Sequence, residues 1–187
     1  MNIHYGFEHL PEIVRPVVTI GSFDGVHLGH SALLCEVVAE AQRAGGRSVV
    51  VTFSPHPREV LPRGGEFRLL TSTERKAELL AERGVDELIV VEFNMEFAAL
   101  TAEEFVRDYL VGKLGMATLV VGYNHRFGHD SNLPEDHFER LGEQYGFKVV
   151  RASAFTFDGG KVSSSIIRNL LEVGDLEAAE KLLGHKL

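Results

Sequence analysis

Cysteine is almost missing from this sequence, in which Cys35 is the single example among 187 residues. No internal disulfide can form, and such a composition is typical of a reducing compartment. Cys35 lies in an apolar run over residues 32–38. We expect this run to form a buried helical face, with Cys35 as a small core residue rather than a reactive thiol.

Long apolar segments and an excess of positive charge are missing too. No apolar run approaches the about 20 residues that cross a bilayer, and the first residues lack the basic and apolar regions of a signal peptide. A formal net charge of -8 argues against general affinity for nucleic acid. It still permits a local basic pocket for a small phosphorylated ligand. We therefore expect a cytoplasmic protein that binds neither membranes nor nucleic acids.

The residues that are present are typical of a globular protein, with 44% hydrophobic and 25% charged side chains. Short β-branched runs predict strands, and amphipathic stretches between them predict helices. This alternation predicts an α/β fold, a doubly wound (Rossmann-like) parallel sheet flanked by helices, with ligands beyond the carboxyl ends of the strands. The predicted strands are 17–20, 48–53, 87–91, 117–122 and 147–150, and the predicted helices are 29–44, 72–83, 101–114 and 134–145.

The last part of the chain has a different pattern. A turn signal at Asp158-Gly159-Gly160 lies between segments 154–157 and 161–162, which predicts a small hairpin. Two short helices, 164–173 and 176–183, are expected to follow it. We interpret residues 1–187 as a single domain in which the hairpin and these helices form a small appendage.

Residues 21–30, Gly-Ser-Phe-Asp-Gly-Val-His-Leu-Gly-His, follow the first predicted strand and lead into a helix. Glycines allow a sharp turn and close approach to a ligand, and a helix N-terminus favours phosphate. His27 and His30 are three apart and can share one helical face, where two imidazole donors could stabilise a transferring phosphoryl group. Alternatively, both histidines cap or line the helix end. A metal pair is a third option, although no further His or Cys at ligand spacing joins them.

This segment resembles the nucleotidyltransferase signature, in the form found in the FAD synthetase module of bacterial bifunctional riboflavin kinase/FMN adenylyltransferases. The resemblance covers essentially the whole chain. It implies a nucleotidyltransferase fold and transfer of AMP from ATP to FMN, with FAD and pyrophosphate as products and Mg²⁺ accompanying ATP. Proteins of this kind continue into a riboflavin kinase module, which these residues could not supply. Whether the chain is an excised domain or a stand-alone enzyme stays open.

Two further segments carry the resemblance to FMN-binding regions. Residues 52–57, Thr-Phe-Ser-Pro-His-Pro, look like the Phe-x-Pro-His-Pro loop of the family, although the residues alone favour a rigid loop with an exposed histidine. Residues 120–128 resemble the Val-Gly-x-Asp/Asn-Phe-x-Phe-Gly segment, in which Asn124 fits and His125 replaces the usual Phe. Arg126 is equally a candidate phosphate partner and a solvated loop charge.

Residues 162–168, Val-Ser-Ser-Ser-Ile-Ile-Arg, resemble the Ile-Ser-Ser-Thr-x-Ile-Arg signature, with Ser165 in the place of Thr. Serines at this position can cap a helix or bind phosphate. Arg168 would project toward the triphosphate.

The resemblance implies the following roles: catalysis by His27, His30, Arg168 and Asn124; ATP binding by Gly21, Ser22, Phe23, Asp24, Gly29, Ser163, Ser164 and Ser165; FMN binding by Pro55, His56, Pro57, Asn124 and Arg126. No residue is assigned as a metal ligand, because Asp24, the nearest acidic candidate, is as well placed to brace the turn. Two alternatives remain at this point. One is a related transferase acting on phosphopantetheine, nicotinate mononucleotide or glycerol phosphate, and the other is a non-catalytic nucleotide-binding module.

Overall fold

A computed structural model describes residues 1–61, 67–122, 127–128 and 134–187. Its centre is a six-stranded sheet with every strand pair parallel and the order β1-β4-β3-β2-β5-β6. This arrangement confirms the predicted α/β doubly wound fold. The strands are β1 (Asn2–Tyr5), β2 (Pro16–Ile20), β3 (Arg47–Ser54), β4 (Glu87–Glu92), β5 (Thr118–Val121) and β6 (Lys148–Arg151).

Helices connect the strands, and a short antiparallel hairpin lies before the last two helices. The helices are α1 (Leu28–Ala44), α2 (Pro57–Val60), α3 (Thr73–Glu82), α4 (Met95–Ala98), α5 (Ala102–Glu104), α6 (His137–Tyr145), α7 (Ser164–Glu172) and α8 (Leu176–Leu183). A π-helical segment (Phe105–Val111) continues α5. The hairpin strands are β7 (Thr156–Phe157) and β8 (Gly160–Lys161). None of the helices over the described residues combines the length and the apolar character of a transmembrane span.

The sheet separates two apolar layers because its central strands are buried on both faces. All five residues of β2 are buried. One layer is rich in aromatic side chains and packs α5, the π-helical segment and α6 against the sheet. The opposite layer contains aliphatic side chains of α1 and α3. Burial of this kind is the main favourable contribution to the stability of such a fold.

The position of β2 determines where a ligand site can form. Its neighbours are β3 on one side and β5 on the other, and the chain winds in opposite directions from this point. In open parallel sheets the crevice at such a switch point, beyond the carboxyl ends of the strands, is the usual ligand site. The turn that begins at Gly21 starts at the carboxyl end of β2, and the segment that contains Pro55 starts at that of β3.

Several elements differ from the sequence-based expectation. β1 was not predicted, because this edge strand exposes Ile3 and Tyr5 and has no continuous apolar run. The helix expected over 101–114 is α5 followed by the π-helical segment. The hairpin is confirmed, with shorter strands. The prediction for Cys35 was wrong: its side chain is exposed, because Leu34 and Val37 occupy the buried face of α1.

Candidate active site

The turn after β2 is held tightly between its neighbours. The Gly21 N–H donates to the carbonyl oxygen of Val51 in β3 (3.0 Å), and the Thr52 hydroxyl donates to the Ser22 carbonyl oxygen (3.1 Å). Phe23 and Val26 have φ angles of 47° and 36°, which bulky side chains rarely adopt. Such local strain persists only where the surrounding structure imposes it, and it is frequent at functional sites. The turn is therefore rigid and unusual in conformation.

His27 caps the first turn of α1. Its Nδ1 accepts a hydrogen bond from the His30 N–H (3.2 Å), and the two imidazoles stack with centroids 3.7 Å apart and an angle of 12° between the rings. Gly29 makes room for this arrangement, since a Cβ there would lie 3.2 Å from Cε1 of His27. The two histidines, which their spacing predicted to share a face, are thus in direct contact.

The protonation state of His27 follows from its burial and its hydrogen bond. Burial lowers the pKa of His27 to about 4, although a hydrogen bond to its own backbone and the charge of Asp24 act in the opposite direction. The ring is therefore neutral near pH 7. Because Nδ1 accepts the His30 N–H, the single ring proton lies on Nε2. His27 can consequently donate one hydrogen bond through Nε2 without carrying a positive charge.

Asp24 lies at the centre of a buried network, with 1% of its side chain exposed. Its Oδ1 accepts hydrogen bonds from the backbone N–H groups of Leu70 (3.0 Å) and Thr71 (3.1 Å), and its Oδ2 pairs with Arg168. The Ser164 hydroxyl donates to the Asp24 carbonyl oxygen (2.9 Å). With both carboxylate oxygens engaged in this way, Asp24 braces the turn and does not fit the role of a metal ligand.

Arg168 joins α7 to this network. Its Nε donates to the Arg68 carbonyl oxygen (2.8 Å), and its guanidinium lies 4.5 Å from the centre of the Phe67 ring. A cavity of about 290 Å³ lies beside it, lined by Arg68, Leu69, Arg168, Leu171 and Glu172. Ser163 caps α7 by accepting from the Ile166 N–H (3.3 Å), whereas Ser165 is exposed. Arg168 and Ser164, distant in sequence, are thereby brought to the turn after β2.

The segment after β3 places His56 in the same region. The imidazole is 8% exposed, so the exposed histidine that the residues alone favoured was a wrong prediction. His56 caps α2, which begins at Pro57: its Nδ1 accepts from the Arg58 N–H (3.0 Å), and Glu59 accepts from the His56 N–H (2.7 Å). Burial is the main factor that lowers the pKa of His56 to about 4. His56 is therefore also a neutral ring with its proton on Nε2.

One charged residue of this region was not predicted. Lys76 lies on the apolar face of α3 and is 3% exposed, and its Nζ donates to the Thr52 hydroxyl (3.2 Å). The signal in the sequence was a lysine at helical spacing with Leu79 and Leu80, which are fully buried. Lysine almost never occupies such a position without a specific partner.

Asn124, His125 and Arg126 lie outside the described residues. Within the part of the chain that the structure describes, there is no cluster of three or more His, Cys, Asp or Glu side chains that could hold a metal ion. The arrangement therefore offers neutral imidazole donors, the buried Lys76 ammonium, the partly exposed Arg168 guanidinium and a helix N-terminus at the carboxyl edge of the sheet. These groups are suited to binding phosphates.

The family model described as FAD synthetase matches residues 11–166, which include the turn after β2, the His56 segment and the Ser163–Ser165 cap. The chain belongs to the FAD synthetase family. Two bacterial relatives, both named bifunctional riboflavin kinase/FMN adenylyltransferase, agree with this membership. The Escherichia coli K12 protein is 38% identical over 90% of this chain, and the Pseudomonas fluorescens protein is 39% identical over 98% of it.

This FAD synthetase family chain covers 54% and 59% of those two relatives, so it spans little more than half of their length. Among solved structures, a Streptococcus pneumoniae protein described as a macrolide-efflux protein superimposes with a TM-score of 0.85 at 27% identity, over 100% of this chain and 72% of that one. A pantothenate synthetase from Thermus thermophilus has a TM-score of 0.54 at 19% identity, over 98% of this chain and 82% of that one, and shares the fold alone.

Proposed function

We propose that this chain is an FMN adenylyltransferase, which transfers AMP from ATP to FMN and releases FAD and pyrophosphate. The observation that carries the proposal is the convergence of the His27–His30 pair and the Asp24–Arg168 pair on one turn at the switch point of the sheet. Membership of the FAD synthetase family supports the same activity and the two substrates.

The reaction requires positioning and charge stabilisation rather than a protein nucleophile. A phosphate oxygen of FMN attacks the α-phosphorus of ATP, forming one P–O bond while the bond to the bridging oxygen of the β-phosphate breaks. His27, as a neutral Nε2–H donor, would bind a phosphate oxygen whose negative charge grows in the transition state. His30, stacked on His27, would act beside it. Asn124 would orient the reacting groups.

The nucleotide would lie along the turn after β2 and the start of α7. Gly21, Ser22 and Phe23 offer backbone groups there, and Gly29 lies in the first turn of α1. Ser163, Ser164 and Ser165 form the cap and first residues of α7. Arg168 would contribute positive charge toward the triphosphate, in an orientation that Asp24 fixes.

Magnesium enters this proposal with the nucleotide. The residues of the described site do not fit a carboxylate-based Mg²⁺ site, because Asp24 is occupied by two backbone N–H groups and by Arg168. We therefore treat MgATP as the substrate, with the triphosphate and water as the ligands of the ion.

FMN would lie beside the segment Pro55, His56 and Pro57, and Arg126 would bind its phosphate. The buried His56 offers a neutral donor there. The proposed location is the cytoplasm, in keeping with the single cysteine, and a riboflavin kinase module is a proposed partner because the relatives are named for both activities.

The acceptor is tested by incubating the purified chain with MgATP and one acceptor at a time: FMN, phosphopantetheine, nicotinate mononucleotide or glycerol phosphate. Pyrophosphate release reports transfer to any acceptor, and chromatography identifies FAD. We expect pyrophosphate and FAD in equal amounts with FMN alone. Pyrophosphate release with another acceptor and not with FMN would refute the substrate assignment. No release with any acceptor would favour a non-catalytic module.

A further inference from the structure

The ammonium group of Lys76 has an environment that packing does not explain. The side chain is 3% exposed, and its neighbours Ala77, Leu79 and Leu80 belong to the aliphatic layer beneath the sheet. Its hydrogen bond is to a neutral hydroxyl, that of Thr52. Over the described residues, no carboxylate oxygen lies within 4.0 Å of Lys76 Nζ.

Burial of an unpaired cation is unfavourable. An ammonium loses its hydration in such a place, and the loss is recovered only through charged partners and several hydrogen bonds. Burial accordingly lowers the pKa of Lys76, while the charges of Asp24 and Glu59 act in the opposite direction from beyond contact distance. Stability alone would favour an apolar side chain of the same length at this position.

The position of Lys76 connects the two segments of the candidate site. The Thr52 hydroxyl, near the end of β3, accepts a hydrogen bond from the Lys76 ammonium. The same hydroxyl donates a hydrogen bond to the Ser22 carbonyl oxygen in the turn after β2. At the start of α3, the Thr73 hydroxyl donates to Ser54 Oγ (3.3 Å), just before Pro55. The charge of Lys76 also acts on His56.

We propose that Lys76 is a positioning residue of the site, which fixes the turn after β2 through Thr52 and supplies a buried positive charge beneath the substrate phosphates. This proposal rests on the proposed function. The charges that act on His56 explain why this cation is useful. Asp24 and Glu59 carry two negative charges and Arg168 and Lys76 two positive ones. Removal of Lys76 would take away one of these positive charges and so weaken the attraction of the site for a triphosphate.

The test compares Lys76→Met, which removes the charge and keeps the length, with Thr52→Val, which removes the hydroxyl and keeps the charge. We expect Lys76→Met to raise the KM for MgATP about 10-fold, with a smaller change in kcat, and to leave the unfolding midpoint unchanged or higher. Thr52→Val should cause a smaller increase in KM. A structural lysine would show the reverse pattern, a lower midpoint with KM values within about twofold of the original.

A second measurement reports the effect of the Lys76 charge on its surroundings. The Cε1–H resonance of His56, assigned with a His56→Asn variant, reports the titration of that ring. Lys76→Met should raise the pKa of His56 above about 4, because one of the positive charges that lower it has been removed. Thr52→Val should leave it unchanged. An unchanged His56 titration in Lys76→Met would overturn the proposal.

These readouts separate this proposal from the proposed function. The dissociation constant for MgATP, measured by calorimetry, and the His56 titration require no turnover. If the original chain forms no FAD, the proposed function fails, and a weaker MgATP affinity of Lys76→Met would still support the role of Lys76. If the chain forms FAD and Lys76→Met retains both MgATP affinity and KM, the role of Lys76 fails alone.

Discussion

Asp24 shows how one side chain can organise residues from three parts of the chain. Its carboxylate, with 1% of the side chain exposed, accepts hydrogen bonds from the backbone N–H groups of Leu70 and Thr71 and pairs with Arg168. A buried carboxylate of this kind is stable only while each partner remains. Asp24 is therefore better understood as the support of Arg168 than as a contact of the substrate or of a metal ion.

Asp24→Asn tests this interpretation. The amide keeps one oxygen for the backbone N–H groups but leaves the Arg168 guanidinium without its anion. We expect the free energy of unfolding to fall by about 3–5 kcal/mol, as for broken buried pairs. Urea denaturation measures this free energy of unfolding. Asp136→Asn is the matched control, because the exposed ion pair between Asp136 and Arg140 should contribute no more than about 1 kcal/mol to stability. Equal effects of the two substitutions would contradict the central role of Asp24.

The pH dependence of stability provides a second prediction for single residues. His27 has a folded pKa of about 4, against 6.5 for an unperturbed histidine. Between these values the unfolded chain binds a proton that the folded chain does not, so stability is full above pH 6.5 and falls as the pH drops toward 4. The contribution of His27 to this fall is roughly 3 kcal/mol.

His27→Asn keeps a capping oxygen and removes the titrating group. The difference in unfolding free energy between pH 7 and pH 4.5, from denaturant titrations, should therefore be smaller in this variant. The remaining dependence would come from other groups, His56 among them. An identical pH dependence in the two proteins would show that His27 is not held neutral by burial.

The sequence was least informative about the surroundings of single side chains. The burial of Lys76 depends on the packing of α3 against β3 and β4, and His56 is partly covered by the Phe67 ring. Both are tertiary contacts, although the helical spacing of Lys76 with Leu79 and Leu80 was a signal for the first. The exposure of Cys35 depends on which face of α1 meets the sheet. In contrast, the shared face of His27 and His30 was predictable, because residues three apart at a helix start are neighbours.

At the scale of elements, α8 is packed directly onto the start of α1. A Cβ at Gly184, the C-terminal cap of α8, would lie 2.4 Å from a methyl carbon of Leu28, and a ring N–H of His185 donates to the Gly25 carbonyl oxygen (2.9 Å). Gly25 in turn lies against Leu183. The C-terminal helices therefore support the turn after β2 from outside the sheet.

Gly184→Ala tests this contact, and Gly174→Ala is its control. Both glycines have left-handed φ angles, 73° and 79°, but a Cβ at Gly174 would meet nothing within 4 Å. We expect Gly174→Ala to lower the free energy of unfolding by about 1 kcal/mol because of backbone strain. Gly184→Ala should lower the free energy of unfolding by about 1–3 kcal/mol more than Gly174→Ala does, because Leu28 must move. Equal losses in thermal or urea unfolding would mean that α8 is not closely packed on α1.

Elements were predictable where one physical signal dominated. Strands β2 to β5 were found because runs of β-branched residues in buried strands have few alternatives. The edge strand β6 was found from its Val149-Val150 pair, although its residues are exposed or half-buried. β1 was missed because a partly exposed edge strand lacks such a run, and its pairing with β4 is a tertiary interaction. The π-helical segment could not be anticipated, because its hydrogen-bond register is not encoded in the hydrophobic pattern that predicted a helix there.

For the whole molecule, the fold and the charge distribution act together. The net charge is -8, yet Arg168 and Lys76 place positive charges close to the turn after β2. The doubly wound order could be predicted from the alternation of elements, and with it the general place of the site. The network that joins α3 and α7 to that turn could not, because it depends on tertiary contacts between residues 24 to 144 positions apart.

The most direct measurement is the rate of FAD and pyrophosphate formation from FMN and MgATP in the original chain and in His27→Ala and His30→Ala. The exposed His9→Ala serves as the control. We expect FAD formation by the original chain, an unchanged rate in the control, and a loss of about 10² to 10³ in kcat for each site variant, as for removal of one transition-state donor. Near-original rates in both site variants, or no FAD from the original chain, would contradict the proposed activity of this site.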